Sequence, residues 1–195
     1  MNLDEISWRP PRIETARLIL RGYESTDAQA IYEYASDPEV TPYMAFDRAQ
    51  SVDSIHAFLS TRAERYAECA LDYVITERHD PGLALGGMGL YWHSKPHRVM
   101  EIGYILVRRC WGRGYVPEAG RALIAHGFGT TPVERIFAPI FAPNQKSRRA
   151  AEKMGLSLEG ILRSVSEHQG RRWDEAIYAV LRDEHASAER IADAD

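Results

Sequence analysis

"EIGYILVRRCWGRGYVPEAG", Glu101–Gly120, passes from an apolar strand through two glycines one residue apart into a helix start. Its reading decides the fold, because glycines at such a junction let backbone N–H groups reach a phosphate. Three devices do this. A dinucleotide fingerprint, G-x-G-x-x-G, opens a doubly wound sheet. Here Pro117 stands where the third glycine belongs, and strands with short connections come first. A Walker loop needs G-x-x-x-x-G-K-[ST], and no such run exists. What remains is Arg109-x-x-Gly112-x-Gly114, either a diphosphate-binding turn or a tight turn that holds nothing. In the first case the amides of Gly112, Arg113, Gly114 and Tyr115 grip the diphosphate. Arg109 and Arg113 add charge, and the helix adds its positive end. Pro117 fits a first helical turn but donates no hydrogen bond.

Before this stretch, Arg12–Tyr23 alternates and reads as one strand. Thr26 and Gln29 have capping-box spacing for a first helix, whose stripe is Ala28, Ile31, Tyr32 and Ala35 and which Pro38 ends. A second helix is expected over Ser51–Tyr66, with Val52, Ile55, Phe58, Leu59 and Tyr66 on one face. Leu71–Arg78, Ala84–His93 and Val99–Val107 then read as an antiparallel meander. Beyond the glycines come a helix (Tyr115–Phe128), a strand (Val133–Phe141), a short helix (Gln145–Met154) and two closing strands (Leu156–Glu167 and Arg172–Leu181). The helix crossover between Val99 and Phe141 implies one parallel pair. The fold class expected is α+β, a mixed, mostly antiparallel sheet flanked by helices. Residues 1–195 read as a single domain, with a core over 12–182 and a frayed polar tail over 183–195.

The bulk numbers agree with a globular protein of 195 residues: 45% are hydrophobic and 27% charged. A net charge of -4 gives no support to a nucleic-acid surface. No apolar run is long enough to cross a bilayer, and "MNLDEISWRPPRIE" lacks a signal core. Two cysteines, Cys69 and Cys110, form no disulfide framework, so a reducing cytoplasm is expected. Cys110 reads as a small packing residue rather than a nucleophile. His93 and His97 in "WHSKPH" have half of a zinc spacing with nothing to complete it, so a surface loop and no metal are expected.

The stretch Glu101–Ala119 resembles motif A of the GNAT superfamily of N-acetyltransferases, whose signature is [QR]-x-x-G-x-[GA]. Its Trp-Gly-Arg-Gly-Tyr core and "NQKSRRAAEKMGLSLEG" downstream resemble the RimJ/RimL-type branch, related to ribosomal-protein N-terminal acetyltransferases. So do the opening "ETARLILR" and the closing "DEAIYAVL"; the likeness covers Ile13–Leu181. The resemblance implies acetyl-CoA, with its pyrophosphate on the glycine turn. Ile105, Leu106 and Val107 would offer backbone groups to the pantetheine arm, in a wedge where this strand splays from the next parallel one. Gly103 would supply a bulge or a close backbone approach. Asn144 would contact the arm, and Ser147 would lie near the sulfur as proton donor. Tyr104 and Tyr115 are alternative donors, and Lys146, Arg148 and Arg149 are candidates for the nucleotide's 3′-phosphate. The family also implies a homodimer.

Acetyl transfer requires a neutral amine. A lysine lies roughly 3.4 pH units from neutrality at pH 7, about 4.6 kcal/mol, whereas an α-amine costs only ~1–1.4 kcal/mol. An N-terminal amine therefore needs only modest base help. Glu101 matches a superfamily glutamate position and is the expected general base. Glu167, just before the last hairpin turn, is the rival by likeness to the RimL branch, though Ser166 holds the matching place. The expected function is acetyl transfer to a primary amine, a peptide or protein N-terminus first. A small-molecule amine or a non-catalytic acetyl-CoA-binding module are the alternatives. Trp92, Trp111 and Trp173 read as packing residues. Any of them, with Tyr43 and Phe46, could line the acceptor pocket, and the loop Pro38–Ser51 should select the acceptor.

Overall fold

The computed structural model describes residues 10–44, 46–67 and 71–192. Cys69 and the N-terminal stretch before residue 10 lie outside the described residues, as does the side chain of Tyr66. Among the described residues no helix is long and apolar enough to cross a membrane.

The strand expected over Arg12–Tyr23 is a hairpin of β1 (Ile13–Glu14) and β2 (Leu18–Arg21). Thr15 breaks it. Its N–H donates to the Leu18 carbonyl at 2.9 Å, and its hydroxyl accepts from the Leu18 N–H at 2.9 Å, which closes a tight turn. The capping box is made by Glu24 and Asp27, not Thr26 and Gln29, and it opens a 3-10 turn (Ser25–Asp27) that runs into α1 (Ala28–Ala35). Arg21 clamps the Asp27 carboxylate at 2.7 and 2.9 Å, which favours the box two residues upstream. The buried face of α1 is Ala28, Ile31, Tyr34 and Ala35, with Tyr32 only half-buried.

α2 (Val52–Ala67) leads into β3 (Leu71–Glu77), β4 (Gly86–Ser94) and β5 (Val99–Leu106). Next come α3 (Tyr115–Thr130), β6 (Arg135–Phe141), α4 (Gln145–Met154), β7 (Ser157–His168) and β8 (Arg171–Leu181). Residues expected to form a frayed tail form α5 (Arg182–Ala192) instead. Arg182 anchors it, donating to the carbonyls of Phe128, Thr131 and Val133 at 2.8–2.9 Å. The Leu181 N–H donates to Glu184 at the helix start.

Among the described residues eight strands form one mixed sheet in the order β1-β2-β3-β4-β5-β6-β8-β7. All pairs are antiparallel except β5–β6. That parallel pair holds only at Val99↔Arg135, Met100↔Ile136 and Glu101↔Phe137. Beyond Glu101 the two strands part, leaving a wedge open at the centre of the sheet.

Side chains alternate across a sheet, so its two faces can be told apart. Leu90 lies against Gly127 of α3, while Asp72, one step out of phase with the Leu71↔Leu90 pair, meets Arg62 of α2. α2 and α3 therefore cover opposite faces, and α4 packs beside α3. Leu123 and Ile124 of α3 are buried against the sheet, each contributing roughly 1.5–3 kcal/mol by leaving water. The buried Arg62–Asp72 pair fixes the other face, with Tyr91 donating to Asp72 at 2.7 Å and the guanidinium 4.2 Å from the Phe58 ring centroid. Gly103 sits in unbroken register opposite Gly89, and the bulge in this hairpin lies between Trp92 and Ser94. A Cβ on Gly103 would meet only the Tyr91 ring, at 3.6 Å, so neither a bulge nor a close approach is found there.

Candidate active site

The glycine turn follows a single 3-10 turn at Arg108–Cys110. Gly112 and Gly114 have φ of 76° and 78°, the left-handed region that side chains resist. A Cβ on Gly112 would meet nothing within 4 Å, so the space beside the backbone is open. Gly114 caps α3, and the first helical bond runs from Glu118 N–H to the Gly114 carbonyl at 3.1 Å. The N–H groups of Tyr115 and Val116 therefore precede the helical ladder. Open space, exposed amides and a helix N-terminus together fit a diphosphate.

The side chains around the turn are arranged differently from expectation. Arg109 pairs with Glu33 of α1, and Arg108 with Asp37 just beyond it at 3.2 Å, so the turn is tied to α1 and the segment that follows it. The Tyr115 ring is buried and its hydroxyl bonds Glu77, leaving only its backbone for a ligand. The missed residue is Arg17. Its guanidinium donates to the Arg113 carbonyl at 2.9 Å and to Glu118 Oε2 at 2.7 Å. Glu118 also accepts from the Thr15 hydroxyl (2.6 Å) and the Arg17 N–H (2.9 Å). Turning the Arg113 carbonyl inward leaves the N–H edge facing out. Burial alone would raise the Glu118 pKa, but these donors outweigh it and hold the carboxyl below its usual range. The brace thus persists at neutral pH and fails only as pH falls through that lowered value. Arg17→Met is expected to raise KM for acetyl-CoA roughly tenfold with the amine KM unchanged, and Arg17→Lys, lacking the planar fork, to restore only part. Steady-state kinetics with each substrate varied in turn tests this.

One side of the wedge is β5, the strand that leads into the turn. Val107 N–H donates to the Leu85 carbonyl at 2.8 Å, and the Ile105 carbonyl faces Gly86 of β4. Both residues turn their backbone groups to β4, so those of Tyr104 and Leu106 face the unpaired edge. Trp111 Nε1 already occupies the Leu106 carbonyl at 2.9 Å.

A cleft of about 830 Å³ opens where β5 and β6 part. On the α3/α4 face it holds Tyr104, Asn144 and Ser147. Asn144 caps α4, its side-chain oxygen accepting from Ser147 N–H at 3.2 Å. The Tyr104 hydroxyl lies 2.7 Å from Ser147 Oγ and donates to the Ser147 carbonyl at 3.0 Å. Burial pushes the Tyr104 pKa up to about 12, with the Ser147 bond opposing and Tyr178 adding. Of the two tyrosines expected as alternative donors, Tyr104 thus lines the cleft, whereas Tyr115 does not.

On the opposite face the cleft holds Glu101, His93, Phe137 and Glu175. Glu101 is half-buried, and burial raises its pKa, with His93 pulling down and Glu175 pushing up. His93 lies within β4, one residue before its end, and meets the Phe137 ring edge-on at 5.0 Å, while His97 is exposed in the following turn. Among the described residues no metal cluster forms. Glu167 is exposed, lies outside the cleft and sits 3.8 Å from Arg172, so the structure does not bring it to Glu101. Tyr43 and Phe141 line the cleft and Trp173 stacks on Phe141 at 5.2 Å; Trp92, Trp111 and Phe46 are not part of it. Arg148 turns inward to the Tyr178 hydroxyl (3.2 Å), Lys146 lies over Trp111 (4.1 Å) and Arg149 is exposed. Cys110 is buried, which raises its pKa and suits packing rather than attack.

The family profile described as "Acetyltransferase (GNAT) domain" matches residues 17–157. The chain is 32% identical over 172 residues to the uncharacterized N-acetyltransferase YoaA of Bacillus subtilis, covering 88% of this chain and 97% of that protein. A GNAT-family acetyltransferase from Bacillus anthracis superposes with a TM-score of 0.80 at 26% identity, over 89% of this chain and 100% of that one. RimL, a ribosomal L7/L12 α-N-protein acetyltransferase solved with coenzyme A, shares the fold with a TM-score of 0.77 at 18% identity, over 88% and 98%.

Proposed function

From the premise that this chain belongs to the GNAT acetyltransferase family and is an acetyl-CoA-dependent N-acetyltransferase, we propose that it acetylates a peptide or protein N-terminal α-amine, with Glu101 as general base. The observation that carries this reading is the placement of Glu101. It lies half-buried at the last paired position of the wedge, across the sheet from the hydroxyl pair of Tyr104 and Ser147. A base on one face and a proton donor on the other leave the wedge between them for the reacting carbonyl.

When bound, acetyl-CoA supplies an activated thioester carbonyl and a thiolate leaving group. The amides of Gly112–Tyr115 would hold its diphosphate, and the unpaired edge at Tyr104 would take its amide arm, the Leu106 carbonyl already accepting from Trp111. Glu101 accepts a proton from the acceptor ammonium, leaving a neutral nitrogen to form the C–N bond. Ser147 Oγ, hydrogen-bonded to Tyr104, would give its proton to the sulfur as the C–S bond breaks and regain one from the nitrogen, which sheds its second proton as the amide forms. Orientation in the wedge accounts for most of the rate. A single carboxylate of raised pKa is matched to an α-amine near neutrality better than to a lysine.

A small cationic amine is the second reading, favoured by Glu175, a further carboxylate in the same cleft. The test is an acceptor panel of N-terminal peptides, polyamines and aminoglycosides scored by CoA release, alongside thermal shift. Acetyl-CoA at about 100 times its Kd is expected to stabilise the protein by ~2.7 kcal/mol, read as a rise in Tm, and NADH to leave it unmoved. A panel in which only polyamines or aminoglycosides react would overturn the N-terminal assignment.

A further inference from the structure

Glu175 has no role in the proton path just described, yet its position is specific. It lies on β8 opposite Phe141 of β6 and Leu162 of β7. Phe137 and Phe141 share a face of β6, and Phe137 pairs with Glu101 across the wedge. Strand alternation thus sets Glu175 and Glu101 on the same face of the sheet, and both line the cleft. Between them the floor is apolar: Phe137, Pro139 and Ile177.

The other titratable or charged groups of the cleft are Tyr43, His93, Tyr104 and Arg135. Arg135 cannot serve either carboxylate, because Glu159 holds it through two hydrogen bonds of 2.6 and 2.5 Å. Among the described residues neither Glu101 nor Glu175 has a hydrogen-bond or ion-pair partner of its own. Three acids with little exposed side chain are engaged instead: Asp27 by Arg21, Asp72 by Arg62, Glu118 by Arg17. An unpaired carboxylate on an apolar wall loses solvation when a substrate fills the cleft, and only an arriving cation offsets that loss. Glu101 takes up a proton during the reaction and so neutralises itself. Glu175 has no such outlet.

We propose that Glu175 selects the acceptor: its carboxylate receives a second cationic centre on the amine whose reacting nitrogen Glu101 deprotonates. This rests on the acetyltransfer reading and narrows its substrate to dications. The shared chemistry is an amine with a further positive charge beyond the reacting nitrogen, as in a peptide with a basic second residue or in a linear diamine. The electrostatic reach of Glu175 to Glu101 supports the same arrangement.

The experiment uses the full chain, acetyl-CoA and two matched acceptor pairs. One is the peptide Ala-Lys-Ala against Ala-Leu-Ala; the other is a linear diamine against the monoamine of equal length. The wild type is expected to favour the dicationic member by about tenfold or more in kcat/KM. That ratio should fall between about 0.05 and 0.5 M salt. Glu175→Gln should bring the ratio close to one, and Glu175→Asp should keep part of it. Whichever pair shows the preference identifies the source of the second charge. A wild-type ratio of one, or a ratio that survives in Glu175→Gln, overturns the assignment. Should the variant fail to fold, a salt-insensitive wild-type ratio overturns it equally. Turnover without preference defeats the Glu175 role alone, whereas no turnover of any acceptor defeats the acetyltransfer reading beneath it.

Discussion

Glu101→Gln is expected to lower kcat by about 10²–10⁴-fold while leaving the protein as stable as the wild type or more so. The two halves of this result have one cause. Burial disfavours the charged carboxylate, Glu175 adds to that and His93 opposes it, and the net effect raises the pKa. A base of raised pKa removes a proton more effectively once ionised, but the folded protein bears the cost of holding it ionised. That cost is present above the folded pKa and vanishes as pH falls through it, where glutamic acid is as neutral as glutamine. The stabilising effect of the substitution should therefore appear at neutral pH and fade in acid. In the wild-type kcat/KM profile the acid limb should lie above the ordinary carboxylate range, and it should be missing from Glu101→Gln. Paired pH–rate profiles and thermal melts check both halves. An unchanged rate and limb would remove Glu101 from the chemistry.

The cofactor half of the candidate site was legible because it is local. Gly112 and Gly114 adjoin one strand and one helix, and two glycines spaced this way have few uses. The bracing of that turn was not legible, since Arg17 and Glu118 are 101 residues apart and meet only after β1–β2 folds back on α3. The acceptor half is long-range throughout. His93, Glu101 and Glu175 come from β4, β5 and β8, and only the sheet order makes them neighbours. The expected strand stopped at His93 because "SKPH" carries turn signals, yet it continues to Ser94 through a bulge. Glu167 entered by likeness to the RimL branch; it pairs with Arg172 and is exposed, while its neighbour Ser166 pairs with Trp173, on the strand face that Glu175 shares.

Element types survived where a periodic pattern was long, as in α2, α3 and β5. Departures came where one side chain overrode the pattern. Thr15 turned an alternating run into a hairpin, and Arg182 pinned a polar segment by three carbonyls into a helix. Neither effect is visible to periodicity, because each depends on what the polar group finds to bond.

Gly112→Val is expected to weaken acetyl-CoA binding by about 10–100-fold, the loss of one or two charge-assisted hydrogen bonds to phosphate. Two effects act together. A β-branched residue at φ 76° is strained by about 1–3 kcal/mol, which tilts the turn. Its Cβ would also fill the open space where nothing lies within 4 Å. Gly112→Asn separates them, because Asn tolerates the left-handed conformation and still carries a side chain. It should keep the melting temperature and still lose affinity. Gly155 provides the complementary control. It too has positive φ (96°) with nothing within 4 Å, but it ends α4 away from the turn. Gly155→Val should therefore lower Tm with little change in the acetyl-CoA Kd. If calorimetry found equal Kd values for Gly112→Val and the wild type, the diphosphate would have to lie elsewhere, and the open pocket at this turn would be only a feature of the surface.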